Sequence, residues 1–253
     1  MTSEFALTTC LCYGTRRMPQ GFIDKLFAAG AHFGYAPKYR HPSAARFVFG
    51  SKGGVELIDL EKTSALLGEA LQFLKQIASS RGAILFVGGK AEVSSVLERA
   101  AHRLNQPYVA GRWIGGTLTN FSEIKKRLDR LAELSDKREK GELAKFTKKE
   151  RLLIDRDITE LEAMFGGLRG MEKLPTALLV IDPSRERIAV DEAVALNIPV
   201  VALMNTDCDS KGVTCPVPGN DASVQTVALV LEEMVRAIEE GMKAQTPIPE
   251  VQS

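Results

Sequence analysis

Residues 177–204 read ALLVIDPSRERIAVDEAVALNIPVVALM: two unbroken apolar runs with a stretch of helical period between them. Ala177–Ile181 and Pro199–Met204 have strand length and turn residues at their ends. Neither alternates apolar with polar, which is the pattern of strands buried on both faces. Arg185–Leu196, between them, carries the apolar spacing of a helix. The same unit recurs along the chain. Ala83–Val87 (AILFV), Tyr108–Ala110 and Val213–Val217 read as further strands, and Lys62–Ala78, Ala91–Leu104 and Ala222–Glu240 as further helices. This alternation predicts an α/β domain on a doubly wound parallel sheet with right-handed crossovers.

Residues 121–165 break the rhythm, being far too long for a crossover loop and about half charged. Ile124, Leu128, Leu131 and Leu134 mark one apolar stripe there, and Ile154, Ile158, Leu161 and Phe165 a second, at the roughly 3.5-residue spacing of a coiled-coil seam. Asn120 with Glu123, and Thr147 with Glu150, have capping-box spacing, and Gly141 lies in the turn between. The segment is expected to be an inserted α-helical coiled-coil hairpin standing away from the sheet, either a solvated arm or an arm that docks on a partner. The expected domains are an N-terminal extension over 1–20, an α/β core over 21–120 and 166–240, the hairpin over 121–165, and a disordered tail over 241–253. Within the core, Gly21–Gly30 is amphipathic, with Phe22, Ile23, Leu26 and Phe27 on the side that should pack on a neighbour.

The 253 residues are 45% hydrophobic and 26% charged, ordinary values for a globular chain and against both disorder and a membrane protein. No apolar run approaches the roughly 18 residues of a spanning helix, and the first residues lack the pattern of a signal peptide, so a cytoplasmic location is expected. Cys10, Cys12, Cys208 and Cys215 do not form paired zinc knuckles and read as free thiols. A formal net charge of +1 leaves any affinity for nucleic acid to local patches, because phosphate neutralisation by Lys and Arg supplies most of it.

Several such patches can be named. His32, Phe33 and Tyr35, followed by Lys38, Arg40 and Arg46, mix aromatic faces with cations, the combination that stacks on bases and meets phosphates. Anchoring of the N-terminal helix is the alternative use of those aromatics. Arg112 and Trp113 open GRWIGGTLTNF, residues 111–121, in which Thr119 and Asn120 offer polar contacts and Trp113 either anchors the loop or packs in the core. Lys125, Lys126 and Arg127 follow on the first hairpin helix. Gly88-Gly89-Lys90 sits between a strand and a helix, where backbone amides and a lysine can cradle phosphate. It lacks both the Walker and the dinucleotide patterns, and close strand-to-helix packing explains the glycines equally well. Asp182, Asp207 and Asp209 fall at strand ends, with His32 a further possible ligand, and would hold a divalent metal ion only if the fold brought them together. No nucleophile–base arrangement stands out, so no catalytic residue is assigned.

Read in order, GAHFG (30–34), Phe49-Gly50, IDLEKT (58–63), ILFVG (84–88), QPYV (106–109), Arg112–Gly116, LTNF (118–121), TKKE (147–150), Gly166-Gly167, Leu174-Pro175, Asp182-Pro183, Ile198–Ala202 and PGND (218–221) resemble the bacterial-type small-subunit ribosomal protein S-two family over roughly residues 23–241. The resemblance implies a flavodoxin-like core with a protruding coiled-coil hairpin, bound to small-subunit rRNA beside neighbouring ribosomal proteins, among them the mRNA-recruiting protein S-one. It implies a structural, non-enzymatic role with no required cofactor, no membrane and no homo-oligomer. Lys38, Arg40, Arg46, Lys90, Arg112, Lys125, Lys126 and Arg127 are then the expected phosphate contacts, supported by His32, Phe33, Tyr35 and Trp113. A nucleotide- or metal-binding α/β protein using the Gly88–Lys90 turn is the competing expectation. The chain departs from the family pattern at Tyr35, where a second histidine is usual, at Ala91, where a basic residue is usual, and at Asn205, where an aspartate is usual; the first and last weaken a metal site at the strand edge. Met18-Pro19-Gln20-Gly21 has the form of a conventional family start, so Met1–Arg17 is expected to be a misassigned extension.

Overall fold

The computed structural model describes residues 20–145 and 147–244. The expectations for the N-terminal extension, its start codon, Cys10, Cys12 and all but the first residues of the tail lie outside the described residues. The elements are, in chain order, α1 (Gln20–Ala28), β1 (Val48–Lys52), β2 (Val55–Ile58), α2 (Leu60–Ser79), β3 (Ile84–Val87), α3 (Ala91–Leu104), β4 (Tyr108–Val109), α4 (Phe121–Glu139), α5 (Lys148–Phe165), β5 (Ala177–Ile181), α6 (Arg187–Ala195), β6 (Val200–Met204), β7 (Cys215–Pro218) and α7 (Val224–Lys243).

Strands β3 to β7 form one parallel sheet in the order β4-β3-β5-β6-β7. Numbered within that sheet the order is 2-1-3-4-5, the flavodoxin-like arrangement, whose crevice opens between the first and third strands at their carboxyl ends. Here that crevice lies between β3 and β5, at the turns beginning with Gly88 and Asp182. Every residue of β3, β5 and β6 is buried, which is why their sequences run apolar without alternation. Their side chains divide by a period of two. Ile84, Phe86, Leu179, Ile181, Val201 and Leu203 join a core with α1, α2, α3 and α7, while Leu85, Val87, Leu178, Val180, Val200 and Ala202 join a second core with α6, Trp113, Ile124, Leu128 and Phe165. Each of these larger side chains contributes about 1.5–3 kcal/mol on burial.

The second core changes one expectation. Phe121–Glu139 and Lys148–Phe165 are helical as expected, and α4 and α5 pair, with Leu131 and Ile158 fully buried and Arg130 bound to Asp157 at 2.9 Å. The pair does not stand wholly clear of the sheet: its base, at Ile124, Leu128 and Phe165, fills the face that α6 leaves open. The N-terminal helix also divides its apolar side. Phe22 and Leu26 enter the first core, whereas Phe27 remains 61% exposed and stacks on His32 at 4.4 Å.

An antiparallel hairpin, β1 with β2, was not among the predicted elements. Gly53 and Gly54 both have positive φ, at 62° and 80°, as a tight two-residue connection demands.

Candidate functional site

The flavodoxin-like crevice is filled by the chain itself. Lys90, at the N-cap of α3, places its ammonium 2.8 Å from Asp182 and 2.8 Å from Asp221. Asp182 is held in turn by the amides of Ser184 and Arg185, which donate to Oδ1, and takes φ 63°. Asp221 accepts from the Asn205 side chain at 3.0 Å. Burial lowers the affinity of Lys90 for its proton, but the hydrogen bonds to Asp182 and Asp221 outweigh that loss and push its pKa above the ordinary lysine value. The neighbouring Gly89 amide donates to Glu186 at 3.0 Å, and burial pushes the Glu186 carboxyl up. Both parts of the predicted phosphate cradle, amide and lysine, therefore already serve internal carboxylates. Lys90 is a strut of the core more than a surface cation.

The predicted metal trio does not converge. Asp182 does lie at this strand end, with Asp207 beside it, but Asp209 is exposed and accepts instead from Ser43 Oγ at 3.4 Å and the Lys211 amide at 2.9 Å. The groups that come together are Asp182, Cys208 and Asp221, whose potential ligand atoms lie within 4.8 Å of one another. Lys90 stands as the cation there. Burial, with Asp207, Asp182 and Asp221 nearby, pushes the Cys208 thiol far up, and both carboxylates of the trio are already paired with Lys90.

The loop from Trp113 to Thr119 is organised by a residue the sequence reading did not single out. Glu192, on the inward side of α6, is buried and accepts five hydrogen bonds. Trp113 Nε1 (3.1 Å) and the Gly116 amide (2.8 Å) donate to Oε1; the Leu118 amide, Thr119 amide and Thr119 Oγ1 donate to Oε2, each at 3.0 Å. Burial works against the anion, but the donors from Thr119, Trp113, Gly116 and Leu118 prevail and hold the carboxyl below the usual glutamate range. Trp113, 6% exposed, is thus an anchor and does not offer its face for stacking.

The remaining candidates fall into two groups at opposite edges of the sheet. His32, Phe33, Tyr35, Lys38, Arg40 and Arg46 precede β1 and lie over the 205–210 turn near β7: the Tyr35 amide donates to Thr206 Oγ1 at 3.0 Å, and Arg46 Nη2 to Ser210 Oγ at 3.4 Å. Arg40 is drawn into an ion pair with the buried Glu56 at 3.0 Å, and Lys38 lies over its neighbour Tyr39. His32 is sandwiched by Phe27 and Phe33, which burial accompanies with a lowered pKa. The second group follows β4. Arg112 is exposed and makes no ion pair among the described residues, and Asn120, Lys125, Lys126 and Arg127 are exposed on the same stretch, whereas the Thr119 hydroxyl is turned to Glu192. Lys126 also pairs with Glu123 at 2.6 Å, a fully solvated contact of little energetic weight.

That pairing bears on a predicted cap. Asn120 is the N-cap of α4, but at φ −123° and ψ 47° it makes no side-chain cap, and the expected Asn120–Glu123 box is absent. The Thr147–Glu150 box at the start of α5 is fully formed.

A family model described as ribosomal protein S2 matches residues 26–241, most of the chain and nearly all of the fold just described. The chain belongs to that family. Among curated relatives named small ribosomal subunit protein uS2, that of Mycobacteroides abscessus is 40% identical over 224 residues, covering 88% of this chain and 81% of the relative. Those of Nocardia farcinica (41%, 88% and 78%) and Corynebacterium glutamicum (42%, 88% and 84%) are similar. The S2 family is a structural and non-enzymatic one, in keeping with an α/β crevice closed by the chain's own salt bridges.

Within this S2 chain, Glu192 had one legible signal. It falls three residues after Ala189 and next to Ala193, on the buried side of α6, where a carboxylate needs donors from elsewhere.

Proposed function

We propose that this chain is a structural constituent of the small ribosomal subunit, acting in the cytoplasm within the ribosome, where it binds small-subunit rRNA and supports neighbouring ribosomal proteins. The observation that carries the reading is the exposed cationic stretch formed by Arg112, Lys125, Lys126 and Arg127 at the base of the helical pair, next to a loop with its polar groups internally satisfied. Phosphates are met by such cations, and a rigid support fixes their register. In this reading residues 21–120 and 166–240 are a core that presents the arm, residues 121–165 are a coiled-coil arm laid against rRNA, and the exposed aromatics around Phe33 offer a surface to a neighbour such as the mRNA-recruiting protein S-one.

The test is binding of purified chain to small-subunit rRNA across a salt series. Wild type should bind with affinity that falls steeply with salt. The Arg112→Glu/Lys126→Glu variant should bind at least tenfold more weakly, with a shallower salt slope. Equal affinity and slope for the two would refute the assignment of this surface.

A further inference from the structure

We propose that Glu192 is a positioning residue for the RNA-contacting surface: its carboxylate fixes the loop from Trp113 to Thr119 and, through it, the placement of Arg112 and the first turn of α4. The inference rests on the rRNA-binding reading above. An ionised carboxylate offers about four lone-pair positions. Glu192 receives five donors, so both oxygens are fully used, and every donor comes from this one loop.

Besides these bonds the loop is held by the buried side chains of Trp113, Thr117 and Leu118, and its other polar contacts are few. Residues 110–120 contain no strand or helix, and their internal bonds are those of Thr117 to Ile114 O and of the Asn120 amide to Gly116 O. Asn120 does not cap α4 with its side chain, so the start of that helix depends on the loop before it, while Ile124 and Leu128 in the core and the pairing with α5 hold its length. Arg112 directly precedes the Trp113 anchor, and Lys125, Lys126 and Arg127 lie in the second turn of α4. One residue, only 8% exposed, therefore governs a surface made by others.

The arrangement also has a chemical consequence. Three amides, a hydroxyl and an indole N–H converging on one point are an anion cradle. Glu192 occupies it, so the loop's amides are withheld from RNA phosphates and the exposed side chains are left as the contacts.

The experiment uses the full chain, whose only tryptophan is Trp113 and hence an internal reporter of the loop. In Glu192→Ala the emission should move to longer wavelength as the loop loosens and water reaches the indole, and affinity for small-subunit rRNA should fall about tenfold, the size of one charge-assisted contact. Arg112→Ala should weaken binding by a similar factor. In the Arg112→Ala background, Glu192→Ala should add clearly less than its full factor, because part of its effect runs through Arg112, whereas a carboxylate with a merely structural role would give independent, fully multiplying losses. Unchanged emission, unchanged affinity or fully multiplying losses would each overturn the proposal. Should Glu192→Ala not fold, Glu192→Gln keeps the volume while turning an amide N–H toward the loop donors, and the same outcomes are read from it. If wild type itself does not bind rRNA, the rRNA reading fails and the positioning claim with it, while the emission arm still decides whether Glu192 fixes the loop.

Discussion

Replacing Lys90 with methionine removes the ammonium from between two carboxylates and leaves a side chain of similar length. Lys90 is 13% exposed, and its partners Asp182 and Asp221 are 8% and 0% exposed, so bulk water cannot take over the lost contact. Breaking a buried pair by deleting one member costs about 3–5 kcal/mol. The lower end applies here, about 3 kcal/mol, because Asp182 keeps the amides of Ser184 and Arg185 and Asp221 keeps the amide of Asn205. At an urea m-value of about 3 kcal/mol/M, this lowers the unfolding midpoint by about 1 M. The penalty should also depend on pH. Burial and Asp182 already push the Asp221 carboxyl up, and without Lys90 it rises further above its unfolded value. A carboxylate raised in the folded state destabilises when ionised, so the gap to wild type should be widest near pH 7.5 and narrow toward pH 5. Adding Asp221→Asn to Lys90→Met should recover part of the loss. Urea melts of the three proteins at both pH values decide the matter; a gap below about 1 kcal/mol at pH 7.5, or one that does not change with pH, would refute the buried-strut account of Lys90.

Three further outcomes follow from particular contacts. Glu192 has its carboxyl held below the ordinary value of about 4.5, so the stabilisation it supplies is fully present above that pH and is lost only as pH falls through the lower folded value. Trp113 emission in a pH titration should therefore stay constant down to about pH 4.5, and a change centred between pH 5 and 6 would contradict it. Gly241→Ala places a methyl group against the carbonyl of Lys75 and the side chain of Ala78, where α7 crosses α2, and should cost about 1–3 kcal/mol in thermal unfolding, whereas a neutral effect would show that this helix pair is less closely packed. Thr147→Ala removes one half of the α5 capping box and should cost about 1 kcal/mol, with faster amide exchange at Glu150, while Asn120→Ala, which loses only an exposed 3.4 Å bond from Ser122 Oγ and no cap, should be close to neutral.

The sheet was legible because burial on both faces leaves an apolar run no other reading, and Ala177–Ile181 and Ala91–Leu104 have the boundaries the sequence suggests. The β1–β2 hairpin carried a signal in Gly53-Gly54, but its strands are half exposed and carry Lys52 and Glu56, so hydrophobic patterning alone passes over them. Capping spacing proved ambiguous. Thr147 and Asn120 present the same i to i+3 pattern, yet only Thr147 takes the extended backbone that a box requires. At the candidate site the exposed cations could be named from sequence, whereas their supports could not. Lys90 looked like a surface cation until the fold set Asp182 and Asp221 around it, and Glu192 acquires its partners from a loop that ends more than seventy residues earlier in the chain. Such partners are set by tertiary convergence, which one-dimensional spacing does not encode.

Sedimentation of the native protein through a sucrose gradient of gently lysed cells tests directly whether the chain works as part of the small ribosomal subunit. It should peak with small subunits in about equal amount to their other proteins and leave them as salt is raised. Recovery of the chain among slowly sedimenting proteins, with small subunits lacking it, would rule that role out.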